Sequence, residues 1–284
     1  MIPLHQDQIH NGPFIQACTH IWSDDVGRKD KSGVWEYYKA ISKEFNKPLI
    51  DHTNVPEKAI IFVGMCHLVE EVFKKLPQGS YIIVHRTNDR QYLAEFERFK
   101  PKSVKHVYTV DCKGTFPNVT AIPFGNSSIN GEDNLVKQIA KEDKIDTDKG
   151  LFLCYNTNPD TPHRNESIPI MKGKDFAFVF ELDYPTIQMA ADEFYRNVHA
   201  HKYTMALAGC GADASRQWAA IQLGSIPIVT DCEQMRHFAD MPMIFCPKDM
   251  NDITMEWLDS QTIGTNTDRM RASYWINHIK AQVL

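Results

Sequence analysis

Arg216 falls in the first turn of a candidate helix, Asp213–Leu223, reached from the strand candidate Tyr203–Ala208 through a short loop carrying Gly209 and Gly211. The run Ile226–Thr230 reads as the next strand, so His201–Asp231 is a strand–loop–helix–strand unit. Backbone N–H groups at a helix start, together with the helix dipole, favour an anion there, and an arginine beside them adds positive charge. A second guanidinium is at hand. After the strand candidate Leu151–Tyr155 comes NTNPDTPHRNES, which holds His163 and Arg164. Arg164 and Arg216 together could grip a diphosphate by forked hydrogen bonds; Arg164 alone in a solvated loop would pair with a surface carboxylate. Asp213 and Ser215 stand where a helix takes its cap, and Ser215 could equally donate to a phosphate. Asp231, directly after the second strand, is set either at the edge of a ligand cleft or as a turn cap. Trp218 reads more readily as a core anchor than as a platform for a base.

The first half offers groups for proton transfer. Trp22-Ser23-Asp24-Asp25 follows the apolar stretch FIQACTHI, and adjacent loop residues can turn one carboxylate inward as a general base. The plainer reading has Asp24 and Asp25 facing solvent. His85 closes the strand candidate YIIVH and is followed by Arg86, Asn88 and Asp89. It could act as a base, although a strand-end histidine satisfied in the core is the simpler assignment. Gly64-Met65-Cys66-His67 ends another strand without a G-x-G-x-x-G fingerprint, which counts against a standard dinucleotide site. The seven cysteines form no C-x-x-C pair, so neither a structural zinc site nor a metal cluster is expected.

These residues need elements to position them, and the chain alternates β and α almost throughout. Strand candidates at Ala59–Gly64, Tyr81–His85, Val104–Val110, Val119–Phe124, Leu151–Tyr155, Phe176–Phe180, Tyr203–Ala208, Ile226–Thr230 and Met243–Cys246 are short continuous apolar runs. Strands covered on both faces read that way. Between them, Val34, Tyr37, Tyr38, Ile41 and Phe45 fall at helical spacing, as do Val69, Val72, Phe73 and Leu76, then Ile187, Ala190, Ala191, Phe194 and Val198. The alternation predicts an α/β protein built on doubly wound parallel sheets. Lys141–Gly150 is charged and poor in apolar residues, and is expected to link two Rossmann-like domains, 1–148 and 149–284, facing a central cleft. The 284 residues carry a net charge of −5, and the pI near 6.2 excludes a general polyanion-coating role. Without a signal-peptide pattern or an apolar run of membrane-spanning length, and with cysteines that read as reduced thiols, a cytoplasmic location is expected.

The His201–Asp231 segment resembles the C-terminal, nucleotide-sugar-binding half of GT-B glycosyltransferases, particularly the exostosin-like group. The likeness rests on Gly209 and Gly211, Asp213, Ser215-Arg216, Trp218 and the run Gly224-Ser225-Ile226-Pro227-Ile228-Val229. α-Fucosyltransferase-type enzymes show a related lysine–aromatic strand and a similar turn. Ala219 and Ala220 stand where families of this kind commonly carry a glutamate. The compact, anchorless chain looks like a bacterial, phage or large-virus relative, in the last case acting in the host cytoplasm. The resemblance implies a GT-B fold and transfer of a sugar from a nucleoside diphosphate, UDP or GDP, to a hydroxyl, without a metal cofactor. It puts Arg164, His163, Gly209, Gly211, Asp213, Ser215, Arg216 and Asp231 on the donor, with Asp24, Asp25 or His85 as catalytic base. The acceptor would be a glycan, a protein, or a hydroxymethylated base in viral DNA, for which Arg98–Lys105 could line a basic groove. The competing readings are a non-catalytic two-lobe small-molecule binding protein and another Rossmann enzyme that modifies nucleotide sugars.

Overall fold

The computed structural model describes residues 11–23, 34–64, 69–86, 92–126, 131–143, 149–156, 161–182, 189–209 and 211–282. The chain is α/β, with two parallel sheets. The first contains β1 (His20–Trp22), β2 (Leu49–Ile50), β3 (Lys58–Val63), β4 (Ser80–His85), β5 (Val104–Thr109) and β6 (Val119–Ala121), in the order β2-β1-β3-β4-β5-β6. Ala59–Val63 and Tyr81–His85 are buried without a break, the mark of parallel strands covered on both sides. Helices α1 (Asn11–Ala17), α2 (Val34–Phe45) and α3 (Val69–Lys75) belong to this unit. β1 and β2 escape the sequence pattern because they are only three and two residues long. Their pairing is nevertheless in register, Ile21 opposite Leu49 on one side and Phe62 on the other.

Helix α4 (Glu132–Ile139) opens the second unit, whose sheet holds β7 (Leu151–Asn156), β8 (Ala177–Leu182), β9 (Tyr203–Ala206), β10 (Ile226–Val229) and β11 (Ile244–Phe245) in the order β11-β10-β9-β7-β8. Alternation along β7 splits the core. Leu151, Leu153 and Tyr155 pack with Ile168 and Met171 of α5 (Pro162–Lys172). Phe152 and Cys154 pack with Val136 and Ile139 of α4, Val198 of α6 (Ala191–Ala200), and Ala219 and Ala220 of α7 (Ser215–Gln222). Helices thus lie on both faces. The short α8 (Glu233–Arg236) and α9 (Met255–Ser260) complete this unit.

The contacts divide the chain at Gly125 and again after Arg271: Gly125–Arg271 form one unit, His10–Phe124 and Ala272–Leu284 the other. The sequence reading set its boundary at 148, and the contacts group residues from Gly125 onward. Helix α4, which precedes the charged stretch, is packed against Phe152 and α6 and so groups with the second unit. The last helix, α10 (Ala272–Lys280), returns to the first unit and buries Trp275 and Ile279. There the Tyr108 hydroxyl of β5 meets His278 Nδ1 at 2.7 Å.

Both sheets share one winding. In each, the second strand lies on one side of the first and all later strands on the other, so the winding reverses between β1 and β3, and between β7 and β9. Ligands of open α/β sheets bind beyond the carboxyl ends of the strands at such reversals. Residues 24–33 and 65–68, after β1 and β3, and 157–160, after β7, lie outside the described set; Leu207–Gly209, after β9, are within it.

Candidate functional site

At the β7–β9 reversal, Tyr155 near the end of β7 is 1% exposed, and its hydroxyl accepts the Leu207 amide at 2.6 Å. Helix α5 starts at Pro162, a favoured first position since proline has no N–H to leave unpaired, and this puts Arg164 in its first turn. The Arg164 guanidinium lies 4.9 Å from the Tyr155 ring centroid and donates from Nε and Nη2 to the Leu207 carbonyl at 3.2 and 3.0 Å. Gly209 makes that approach possible. A Cβ there would sit 2.6 Å from Arg164 Nη2.

Arg216, on α7, lies 4.6 Å from the same Tyr155 ring and 5.3 Å from Phe194. Both are within cation–π range. Its Nη1 is buried and has no hydrogen-bond partner among the described residues. Such an unmet charged donor costs on the order of 1–3 kcal/mol, so a ligand that accepts from it has a gain in hand. Burial pushes the Tyr155 phenol up while the two arginines pull it the other way, and burial likewise raises the Cys154 thiol against Arg216. Both stay protonated, which suits Cys154 to packing and not to nucleophilic attack.

The start of α7 is open. Its N-cap is Ala214, extended and without a side-chain cap, where the sequence offered Asp213 and Ser215 as caps. Asp213 turns inward: 2% exposed, its Oδ1 accepts from Trp218 Nε1 at 2.5 Å and from Gln217 Nε2 at 3.2 Å. Trp218 is a core anchor, edge-on to Phe238. Asp213 therefore fixes the helix start, and Ser215 lines a cavity of about 310 Å³ with Arg164, Arg216, Phe194, Tyr195 and Glu132.

A second cavity of about 670 Å³ shares the Leu207 wall and contains His163, Asp231, Arg236, Phe245 and Lys248. Several of its polar groups already serve one another. Arg236 donates to both Asp231 oxygens, at 2.6 and 2.7 Å, and lies 4.1 Å from the Phe245 centroid, while His163 is 4.0 Å from Glu166. The expected donor set is thus divided: Arg164, Ser215 and Arg216 line one cavity, His163 and Asp231 the other. Gly209 backs Arg164, and Gly211 contributes a carbonyl to the Gly209 amide at 3.1 Å.

Of the base candidates, Asp24 and Asp25 lie outside the described residues. His85 is fully buried at the end of β4, its Nδ1 2.9 Å from Thr109 Oγ1, which itself donates to the Val110 carbonyl. Neighbouring Arg86 donates to the Pro123 and Phe124 carbonyls just before Gly125 and lies 4.3 Å from the Phe14 ring. Among the described residues no three histidine, cysteine or acidic side chains come together as a metal-ligand set. Sequence reasoning missed Tyr155, Tyr195 and Glu132. The first two read as core aromatics, and an acid in a helix's first turn is so common that Glu132 carries no signal.

No protein-family profile and no curated protein sequence matches the chain. A solved structure similar to it is described as "Crystal Structure of alpha1,3-Fucosyltransferase"; the two are 11% identical with a TM-score of 0.43, over 92% of this chain and 76% of that one. At that distance the likeness assigns no reaction. No helix among the described residues is long and apolar enough to cross a membrane.

Proposed function

We propose that this chain is a glycosyltransferase that moves a sugar from a nucleoside diphosphate, UDP or GDP, to a hydroxyl acceptor. The observation that carries the reading is Arg216 Nη1, buried without a hydrogen-bond partner among the described residues, beside Arg164 in a cavity at the β7–β9 reversal and at an uncapped helix start. Departure of a nucleoside diphosphate places negative charge on the β-phosphate as the sugar–oxygen bond breaks. Donors fixed beforehand stabilise that charge without reorganising. Tyr155 and the Leu207 carbonyl supply the fixing here. The neighbouring 670 Å³ cavity has room for the rest of such a donor. Of the base candidates, Asp24 and Asp25 lie outside the described residues, and His85 is enclosed and bonded to Thr109. We favour a carbohydrate hydroxyl over a DNA base, because the chain carries a net charge of −5 and Lys100 of the 98–105 segment is paired with Glu97.

Thermal shift with UDP, GDP and their sugars, on the wild type and Arg216→Ala, tests this. One nucleoside diphosphate should raise the wild-type melting temperature and bind the variant roughly ten- to a hundredfold more weakly, as expected for loss of charge-assisted hydrogen bonds. A folded wild type that none of them stabilises would sink the reading. Binding without sugar transfer to any acceptor would favour the two-lobe binding protein instead.

A further inference from the structure

The 310 Å³ cavity is not uniformly basic. Glu132, the first residue of α4, lines it together with both arginines. Its Oε2 accepts from the Tyr195 hydroxyl at 3.0 Å, and it forms no ion pair among the described residues. Burial and the adjacent carboxylate push the Tyr195 phenol up, so it stays a donor. Tyr195 is only 4% exposed and its ring is edge-on to Phe194, which fixes the direction from which Glu132 is held.

A half-buried carboxylate that shares a cavity with two guanidiniums, yet pairs with neither, constrains what can enter. It repels a purely anionic ligand. A carboxylate has about four lone-pair positions. Tyr195 fills one, and the others call for O–H or N–H donors. The cavity thus wants a ligand with phosphate at one end and hydrogen-bond donors at the other. Two hydroxyls on neighbouring carbons match the two oxygens of a carboxylate.

We propose that Glu132, positioned by Tyr195, accepts hydrogen bonds from a vicinal hydroxyl pair on the ligand whose phosphates Arg164 and Arg216 hold. This rests on the nucleotide-sugar reading above and assigns a specificity residue within it. Such a diol occurs on the ribose and on the transferred sugar alike, and the arms of the test separate the two sources.

Dissociation constants of UDP and GDP, their 2′,3′-dideoxy counterparts, and UDP-glucose and GDP-fucose would be measured on the wild type, Glu132→Gln and Glu132→Ala. If the diol is the ribose, the wild type prefers ribo over dideoxy by roughly tenfold or more, since a site built to bond a hydroxyl rejects an analogue that lacks it. In Glu132→Ala that preference falls towards one while dideoxy binding persists, which also shows that the variant is folded. If the diol is on the sugar, ribo and dideoxy bind the wild type alike, and Glu132→Ala weakens the nucleotide sugar relative to the bare diphosphate. Glu132→Gln, which keeps one acceptor, should fall between. Unchanged discrimination in both arms, or equal tightening of every ligand as loss of a mere negative charge would give, overturns the assignment and leaves the glycosyltransferase reading standing on Arg216. A wild type that binds no nucleoside diphosphate removes both.

Discussion

The Tyr155 ring lies under two guanidiniums while its hydroxyl takes the Leu207 amide, and the Leu207 carbonyl in turn takes Arg164. A strand end, a loop and two cations are thereby tied through one buried side chain. Gly209 is the residue where this is most easily disturbed, since a methyl group there would occupy the space of the Arg164 guanidinium. The obstructing atoms are the far end of a flexible side chain, so Gly209→Ala should leave folding nearly intact and displace Arg164. The expected result is a melting temperature close to wild type with nucleoside diphosphate bound several-fold more weakly, roughly 1 kcal/mol, about the worth of one displaced hydrogen bond. A variant that binds as well as wild type would mean Arg164 does not reach the phosphates. At this scale the sequence was half legible. Arg164, Ser215 and Arg216 were visible as a basic group around a helix start and do line one cavity. His163, one residue before Arg164, faces a different cavity, because successive positions in a helical turn point about 100° apart.

Among the elements, the β/α alternation was legible because strands covered on both faces are unbroken apolar runs, and β3, β4, β7 and β10 all obey that rule. β1 and β2 were not, since two or three residues carry no period, and their place is fixed by neighbours such as Pro48, whose carbonyl accepts the Ile21 amide at 3.0 Å. The β5–β6 edge carries a pH dependence that composition could not reveal. The His106 ring lies 4.6 Å from that of Tyr108, tilted by 38°, and bonds Thr120 Oγ1 at 2.8 Å. Desolvation first, then the nearby His278 and Lys100 charges, lower its pKa to about 4. The unfolded chain takes up this proton near pH 6.5, and the folded one resists until about 4. The contribution is thus present above pH 6.5 and lost as pH falls through that window. Urea unfolding at pH 7.5 and pH 5 should show the first unit weakening on acidification, and less so in His106→Gln; equal loss in both would assign the effect elsewhere.

Over the whole molecule, the charged stretch at 141–150 looked like a domain linker because it is polar, yet polarity marks only exposure. The passages between the units lie at Gly125 and after Arg271, and the first is inconspicuous in sequence because it is held by bonds to residues far along the chain. Arg86 clamps the carbonyls before Gly125, and the buried Asn126 amide donates to Gln222 at 2.7 Å just beyond it. The return of α10 to the first unit predicts an effect at a distance in sequence. Removing Ala272–Leu284 strips away buried Trp275 and Ile279 and the partner of Tyr108, a loss on the order of 5 kcal/mol or more. Hydrogen exchange should show β3, β4 and β5 losing protection while β7 and β9 keep theirs; uniform loss would mean that the units do not unfold separately. The same connectivity governs how the protein is made. Everything in the first unit except α10 leaves the ribosome before the second unit, roughly 150 residues long, has been translated. At about 5–20 residues per second that is a wait of roughly 7–30 seconds, in which α1 lacks its main helix partner and the Tyr108 hydroxyl lacks His278. The later-made unit can reach its final form first, and the earlier one is exposed to chaperones and proteases until the chain comes back to it.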